Sequence, residues 1–170
     1  KGMKTCLVGC GGIAAVHGSV LTSGIDTEFV AAADIKLEKA QSYAENFHTK
    51  PYPSLESMLE AEKPDVLHIC TPHYLHVPMA IYSLERNINV FMEKPPAISF
   101  DQLEELKKAA AKSDAQLGFC YQNRYNASIR AAKDLIDSGK SGKVLGARAF
   151  VTWCRGAAYY TESGWRGSLK

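Results

Sequence analysis

Two residues capable of proton chemistry stand where an apolar strand has to stop. Val90-Phe91-Met92 leads into Glu93-Lys94-Pro95-Pro96. Proline has no backbone N–H and cannot donate to a central sheet ladder, so the strand ends at this charged pair. A lysine amine serves as a general base only where burial or a nearby cation lowers its free pKa of ~10.4. Taken alone, Glu93 and Lys94 read more readily as a solvated surface pair before a turn. Residues elsewhere in the chain decide the matter.

The second chemical group is rich in glycine. The strand from Met3 to Val8 runs into Gly9-Cys10-Gly11-Gly12-Ile13-Ala14, a G-x-G-x-x-A spacing. Ile13, Val16, Val20 and Leu21 then recur at helical spacing, and Gly24 closes that helix. Gly9 permits a tight turn, Gly11 lets the backbone approach a pyrophosphate, and Ala14 lets helix pack close to strand. Phosphates would rest on the unpaired N–H groups at the helix start, around Gly12 and Ile13. The next strand, Glu28 to Ala33, ends at Asp34, 20 residues beyond Ala14. A carboxylate there accepts hydrogen bonds from adenosine ribose hydroxyls and repels a 2′-phosphate, which favours NAD over NADP. Lys36 lies close enough that NADP is not excluded. The alternative is a plain strand–helix turn with Asp34 as helix cap. That reading leaves the coincidence of spacing, context and acidic residue unexplained.

These groups need a scaffold to bring them together. Lys36 to Phe47 reads as a helix, a short strand lies near Tyr52, and Ser54 caps a helix running to Ala61. Residues 66–70 (VLHIC) form a buried strand stopped by Thr71-Pro72, and His73 to Arg86 reads as a helix. Asn87 suits a left-handed turn, and Ile88 to Met92 is the strand that delivers Lys94. From Ser99 a cap, early acids and later lysines mark a helix, and residues 116–121 make a sixth strand. This alternation predicts an α/β fold with a doubly wound parallel sheet. Ligands bind such sheets in the crevice beyond the carboxyl ends of the strands. Residues 1–123 would form the dinucleotide-binding domain. Residues 124–170 would begin an α+β second domain, with a helix from Ala127 to Ser138 and one long strand over 144–154.

Composition removes several function classes. With 170 residues, 46% apolar and 22% charged, the chain has the make-up of an ordinary globular protein. A net charge of +2 without any Lys/Arg run argues against a nucleic-acid partner. No apolar run approaches the ~20 residues of a membrane span, and no signal-peptide pattern opens the chain, so no membrane partner is expected. Cys6, Cys10, Cys70, Cys120 and Cys154 show no C-x-x-C spacing. They read as small buried residues in a reducing, cytoplasmic compartment, with no metal site and no disulfide framework.

Taken together, these stretches resemble one family, the Gfo/Idh/MocA oxidoreductases. Gly9 to Ala14 resembles the family's cofactor turn. Thr71-Pro72-His73-Tyr74-Leu75-His76 is similar to its T-P-N-x-x-H stretch, with His73 in place of the Asn. Glu93-Lys94-Pro95 resembles its E-K-P signature. Tyr121-Gln122-Asn123-Arg124-Tyr125-Asn126 and Trp165-Arg166-Gly167 resemble two later stretches. Each motif is weak alone; their order and spacing make the set specific.

The resemblance implies a Rossmann-type NAD(P)-dependent oxidoreductase. It would pass a hydride between nicotinamide and a carbinol carbon of a sugar, cyclitol or derivative. The implied substrate is thus a small polyol or sugar-like molecule, and the implied assembly a homo-oligomer. Lys94 would be the catalytic lysine, with a cis bond before Pro95. Thr71, Pro72 and His76 would line the cofactor on its nicotinamide side. Glu93 would contact the nicotinamide ribose or the lysine, and Gln122, Trp165 and Arg166 would complete the cofactor site. Relatives continue with a glycine run and an Asp-x-x-x-His segment, so the chain is expected to be a fragment supplying the cofactor half, inactive alone. Its strand over 144–154 would then expose an unpaired edge. A non-catalytic NAD-binding sensor of the same family is the alternative, and the intact Glu93-Lys94-Pro95 favours the enzyme.

Overall fold

Six short apolar runs become six parallel strands in the computed structural model, which describes residues 2–24, 26–161 and 164–166. They are β1 (Met3–Val8), β2 (Thr27–Ala33), β3 (Lys50–Tyr52), β4 (Val66–Ile69), β5 (Asn89–Glu93) and β6 (Leu117–Cys120). Their order across the sheet is β3-β2-β1-β4-β5-β6, with every pair parallel. The connecting helices are α1 (Ala14–Ser23), α2 (Leu37–Phe47), α3 (Leu55–Glu62), α4 (His76–Leu84) and α5 (Phe100–Lys112). This is the doubly wound α/β architecture, and its strand order reverses between β1 and β4. The carboxyl ends of those two strands flank the crevice in which such sheets bind ligands.

Alternate side chains along each strand go to opposite faces, and both faces are covered. On one face Cys6, Val8, Ala31, Ala33, Leu67, Ile69, Val90 and Met92 pack against α3, α4 and Leu106 of α5. On the other, Leu7, Ala32 and Cys70 pack against Ala14 of α1 and Tyr43 of α2. The helix starts form as their residues dictate. The Ser54 hydroxyl accepts from the Ser57 N–H at 3.1 Å, and the Ser99 hydroxyl from the Gln102 N–H at 3.2 Å. Asn87 takes a φ of 54°, the left-handed turn expected of it.

Three local expectations need correction. The inner face of α1 is Ala14, His17, Gly18 and Leu21, while Ile13, Val16 and Val20 are exposed. Close approach decides this, because a Cβ at Gly18 would meet the Tyr43 hydroxyl at 2.4 Å. The helix expected from His73 begins as a 3-10 turn (His73–Leu75), and α4 proper starts at His76. Pro78 sits in its first turn, where a missing N–H costs nothing. The third correction lies in the second part of the chain.

Residues 1–120 and 121–170 form separate compact units. The second contains a 3-10 turn (Gln122–Tyr125), α6 (Ala127–Asp137) and α7 (Ala157–Thr161). The long strand expected over 144–154 does not form; residues 144–156 carry no regular secondary structure. A strand takes its hydrogen bonds from a neighbouring strand, and none exists among the described residues of this unit. Leu145, Phe150 and Trp153 are exposed as a result. Among the described residues, no helix is long and apolar enough to cross a membrane.

Candidate active site

The carboxyl edge of the sheet gathers the turns that follow β1, β2, β4 and β5. Gly9, with φ +92°, turns the chain out of β1 directly against the end of β4. The Cys70 N–H donates to the Val8 carbonyl at 2.8 Å, and a Cβ on Gly9 would lie 2.7 Å from Thr71 N. Only glycine fits there, on both conformational and steric grounds. Gly11 and Gly12 are different. A Cβ on either would meet nothing within 4 Å, so the outer side of the turn is open. No hydrogen bond among the described residues takes up the N–H of Gly12 or Ile13, which point from the start of a 10-residue helix. Open space, orphan donors and the positive end of a helix dipole together fit an anionic pyrophosphate.

Asp34 joins this turn to the next strand. Its Oδ2 accepts from the Cys10 N–H and its Oδ1 from the Lys36 N–H, both at 2.9 Å. It is not the cap of α2, whose N-cap is Lys36 without a side-chain bond. Each half-buried carboxylate oxygen retains a lone pair, as a ribose-binding acid requires. The nearby Cys10 thiol is pushed up to about 12 by burial and then by Asp34, so it is a packing residue and no nucleophile.

Past β4 and β5 lie the residues expected on the nicotinamide side. Thr71 is buried and Pro72 half-buried. His76, expected to line the cofactor, has no exposed surface. Its Nδ1 lies 2.8 Å from the Pro95 carbonyl oxygen and its Nε2 2.9 Å from that of Thr71. It thus joins the loop after β4 to the loop after β5. The Lys94–Pro95 bond is cis, as the resemblance implied. Lys94 is exposed and makes no ion pair or hydrogen bond among the described residues.

Glu93 points the other way and is only 5% exposed. Its Oε1 lies 3.0 Å from Nε2 of His17, whose Nδ1 lies 3.0 Å from Nδ1 of His68. Burial by itself would raise the Glu93 carboxyl. Hydrogen bonds from His17 and Cys120 and the neighbouring Lys94 outweigh it, and the pKa is lowered. An ionised carboxylate only accepts, so His17 Nε2 donates to it, and one of the two facing Nδ1 atoms carries a proton. His68 is pushed down to about 4 by burial and by His17. The motifs do not reveal His17. Its signal was its place three residues after Ala14, on the small-residue face of α1.

Gln122, Trp165 and Arg166 belong to the second unit. Gln122 is exposed in its 3-10 turn. The Arg166 guanidinium stacks 4.2 Å from the Tyr159 ring centroid and 5.6 Å from that of Trp165. Gly167 and the chain end at Lys170 lie outside the described residues.

Known proteins share this fold. Residues 3–121 match the GFO_IDH_MocA family model, an oxidoreductase family with an NAD-binding Rossmann fold. The chain is 28% identical over 165 residues to D-glucoside 3-dehydrogenase of Escherichia coli (strain K12), covering 96% of this chain and 46% of that protein. It is 28% identical over 151 residues to inositol 2-dehydrogenase/D-chiro-inositol 3-dehydrogenase of Lacticaseibacillus casei, covering 86% and 44% respectively. The crystal structure of the WlbA dehydrogenase from Bordetella pertussis, in complex with NADH and UDP-GlcNAcA, superposes with a TM-score of 0.89. Its sequence identity is 30%, covering 98% of this chain and 51% of that one. The chain thus spans about half the length of these relatives. With the family match over residues 3–121 and the glycine turn at the switch point of a β3-β2-β1-β4-β5-β6 sheet, the chain belongs to the Gfo/Idh/MocA oxidoreductases and carries their NAD-binding Rossmann fold.

Proposed function

We propose that the protein is an NAD-dependent dehydrogenase acting on a carbinol of a sugar, a cyclitol or a derivative. In this reading the present chain supplies the cofactor-binding half. The observation that carries it is the sharing of one sheet edge by three groups: the open Gly11-Gly12 turn, Asp34, and the unpaired Lys94. Gly11, Gly12 and Ile13 would hold the pyrophosphate through backbone N–H groups, and Asp34 would accept from the ribose hydroxyls, favouring NAD over NADP. Thr71, Pro72 and the peptide of Glu93-Lys94 would shape the nicotinamide side. When bound, the nicotinamide supplies the hydride acceptor or donor.

Lys94 would move the carbinol proton. Its carboxylate neighbour is turned away and engaged by His17, which leaves the lysine amine available to a ligand. The substrate class is supported by the relatives, whose names give a glucoside and inositols. The five cysteines, none in a disulfide among the described residues, support a reducing compartment, which we take to be the cytoplasm. The exposed Leu145, Phe150 and Trp153 support association into a homo-oligomer.

The test is Lys94→Ala in the complete enzyme. Turnover should fall by about a hundredfold to ten-thousandfold, the range of general-base losses, while NADH affinity stays within about twofold. Turnover retained within tenfold would reject Lys94 as the base and favour a binding protein without catalysis.

A further inference from the structure

Both ring nitrogens of the fully buried His76 face carbonyl oxygens, that of Pro95 at 2.8 Å and that of Thr71 at 2.9 Å. A carbonyl oxygen only accepts. A neutral imidazole has one N–H, so it can serve one of these oxygens and must turn a lone pair toward the other. Buried in this way, with no exposed surface, the mismatched pair would lose a hydrogen bond that water could not replace. Only the imidazolium donates to both. The two carbonyls belong to two separate loops. Thr71 follows β4 at the crevice beside Gly9, and Pro95 follows Lys94 directly.

We propose that His76 is a positioning residue that staples the Thr71–Pro72 loop to the Lys94–Pro95 loop through two N–H donors, holding Lys94 in place while both ring protons are present. Loss of one proton leaves one carbonyl without its donor and lets the loops separate. The link to cofactor binding rests on the proposed dinucleotide site. One titratable side chain stacks on the His76 ring, and two more act on that neighbour. His73 lies on its own segment, with ring centroids 5.7 Å apart, and Glu93 and Lys94 stand at the end of β5. His73 is held below its ordinary range by burial, then by His76 and Lys94, so it gains its proton at lower pH than a free histidine.

The experiment uses the 170-residue chain with 15N-labelled histidine. Long-range 1H–15N spectra report how many His76 nitrogens carry protons from about pH 5 to about pH 9, the span in which histidine titrates. NADH affinity is measured by fluorescence at each step. Both His76 nitrogens should be protonated at the low end, and the NADH Kd should rise at least threefold as one proton leaves. His76→Gln cannot titrate and should show a flat Kd over the same window, whereas His73→Asn should keep the wild-type dependence. A single N–H on His76 throughout, or an unchanged pH dependence in His76→Gln, would overturn the proposal. If His76→Gln fails to fold, the wild-type coincidence of nitrogen signature and Kd decides. Failure of the wild type to bind NADH at any pH would sink the cofactor reading and the coupling with it, while the nitrogen signature still judges the two-donor staple.

Discussion

Gly9 and Gly11 answer two different demands made on the same residue type. Gly9 is fixed by the fold, since its φ is positive and its Cα lies against the backbone of Cys70 and Thr71. Gly11 faces open space with an ordinary φ, so nothing in the fold requires it. Gly9→Ala should therefore lower stability by more than about 2 kcal/mol in urea unfolding. Gly11→Ala should leave stability within about 0.5 kcal/mol and weaken NADH binding at least tenfold, because the new methyl occupies the pyrophosphate's approach. Equal effects of the two substitutions on stability would contradict this division. The buried Glu93 is likewise dependent on its partner. His17→Leu leaves the buried carboxylate with only the Cys120 thiol as side-chain donor and should cost about 3 kcal/mol in the same assay. Gly9, Gly11, Asp34 and Lys94 were legible in the sequence because fixed spacings and strand ends announce them. His17 was not, because the apolar residues Val16 and Val20 beside it suggested a different inner face.

At the level of elements, a charged cluster at the other end of the sheet ties α3 to its strands. The Glu62 carboxylate, near the end of α3, meets Lys4 of β1 at 3.0 Å, Lys50 of β3 at 2.9 Å and the Tyr52 hydroxyl at 2.6 Å. The hydrogen bond from Tyr52 leads the causes that hold its pKa down to about 2, against the opposing effect of burial. A carboxylate with a depressed folded pKa adds stability above its ordinary value and loses it as pH falls through the folded one. Unfolding free energy should thus decline by on the order of 3 kcal/mol between roughly pH 5 and pH 2 on this account. In Glu62→Gln that slope should be much reduced and the protein less stable at neutral pH, and an unchanged acid slope would refute the assignment. The sequence made the helix caps plain, since Ser54 and Ser99 each precede an acidic first turn. It did not reveal this cluster, whose members lie far apart along the chain and meet only once β1 and β3 flank β2.

Across the whole molecule, the two units differ in how their backbone is satisfied. In residues 1–120 every strand has a neighbour and both sheet faces are covered by helices. Residues 144–156 have no such partner and lie exposed. Limited trypsin digestion should cut first at Lys143, Arg148 or Arg155 and leave a resistant fragment that includes Met3–Cys120; early cleavage within the sheet would contradict this. The doubly wound order was legible because strand and helix alternate up to Tyr121. The strand over 144–154 was misjudged because β-forming residues specify a strand only where another strand receives it. The central claim is that the β1–β4 crevice of this chain binds NAD through its open glycine turn and Asp34. Titration of the chain with NADH and NADPH tests it most directly. We expect saturable NADH binding with NADPH at least tenfold weaker, and a narrowed gap in Asp34→Ala. No saturable NADH binding, or equal affinity for the two cofactors, would contradict it.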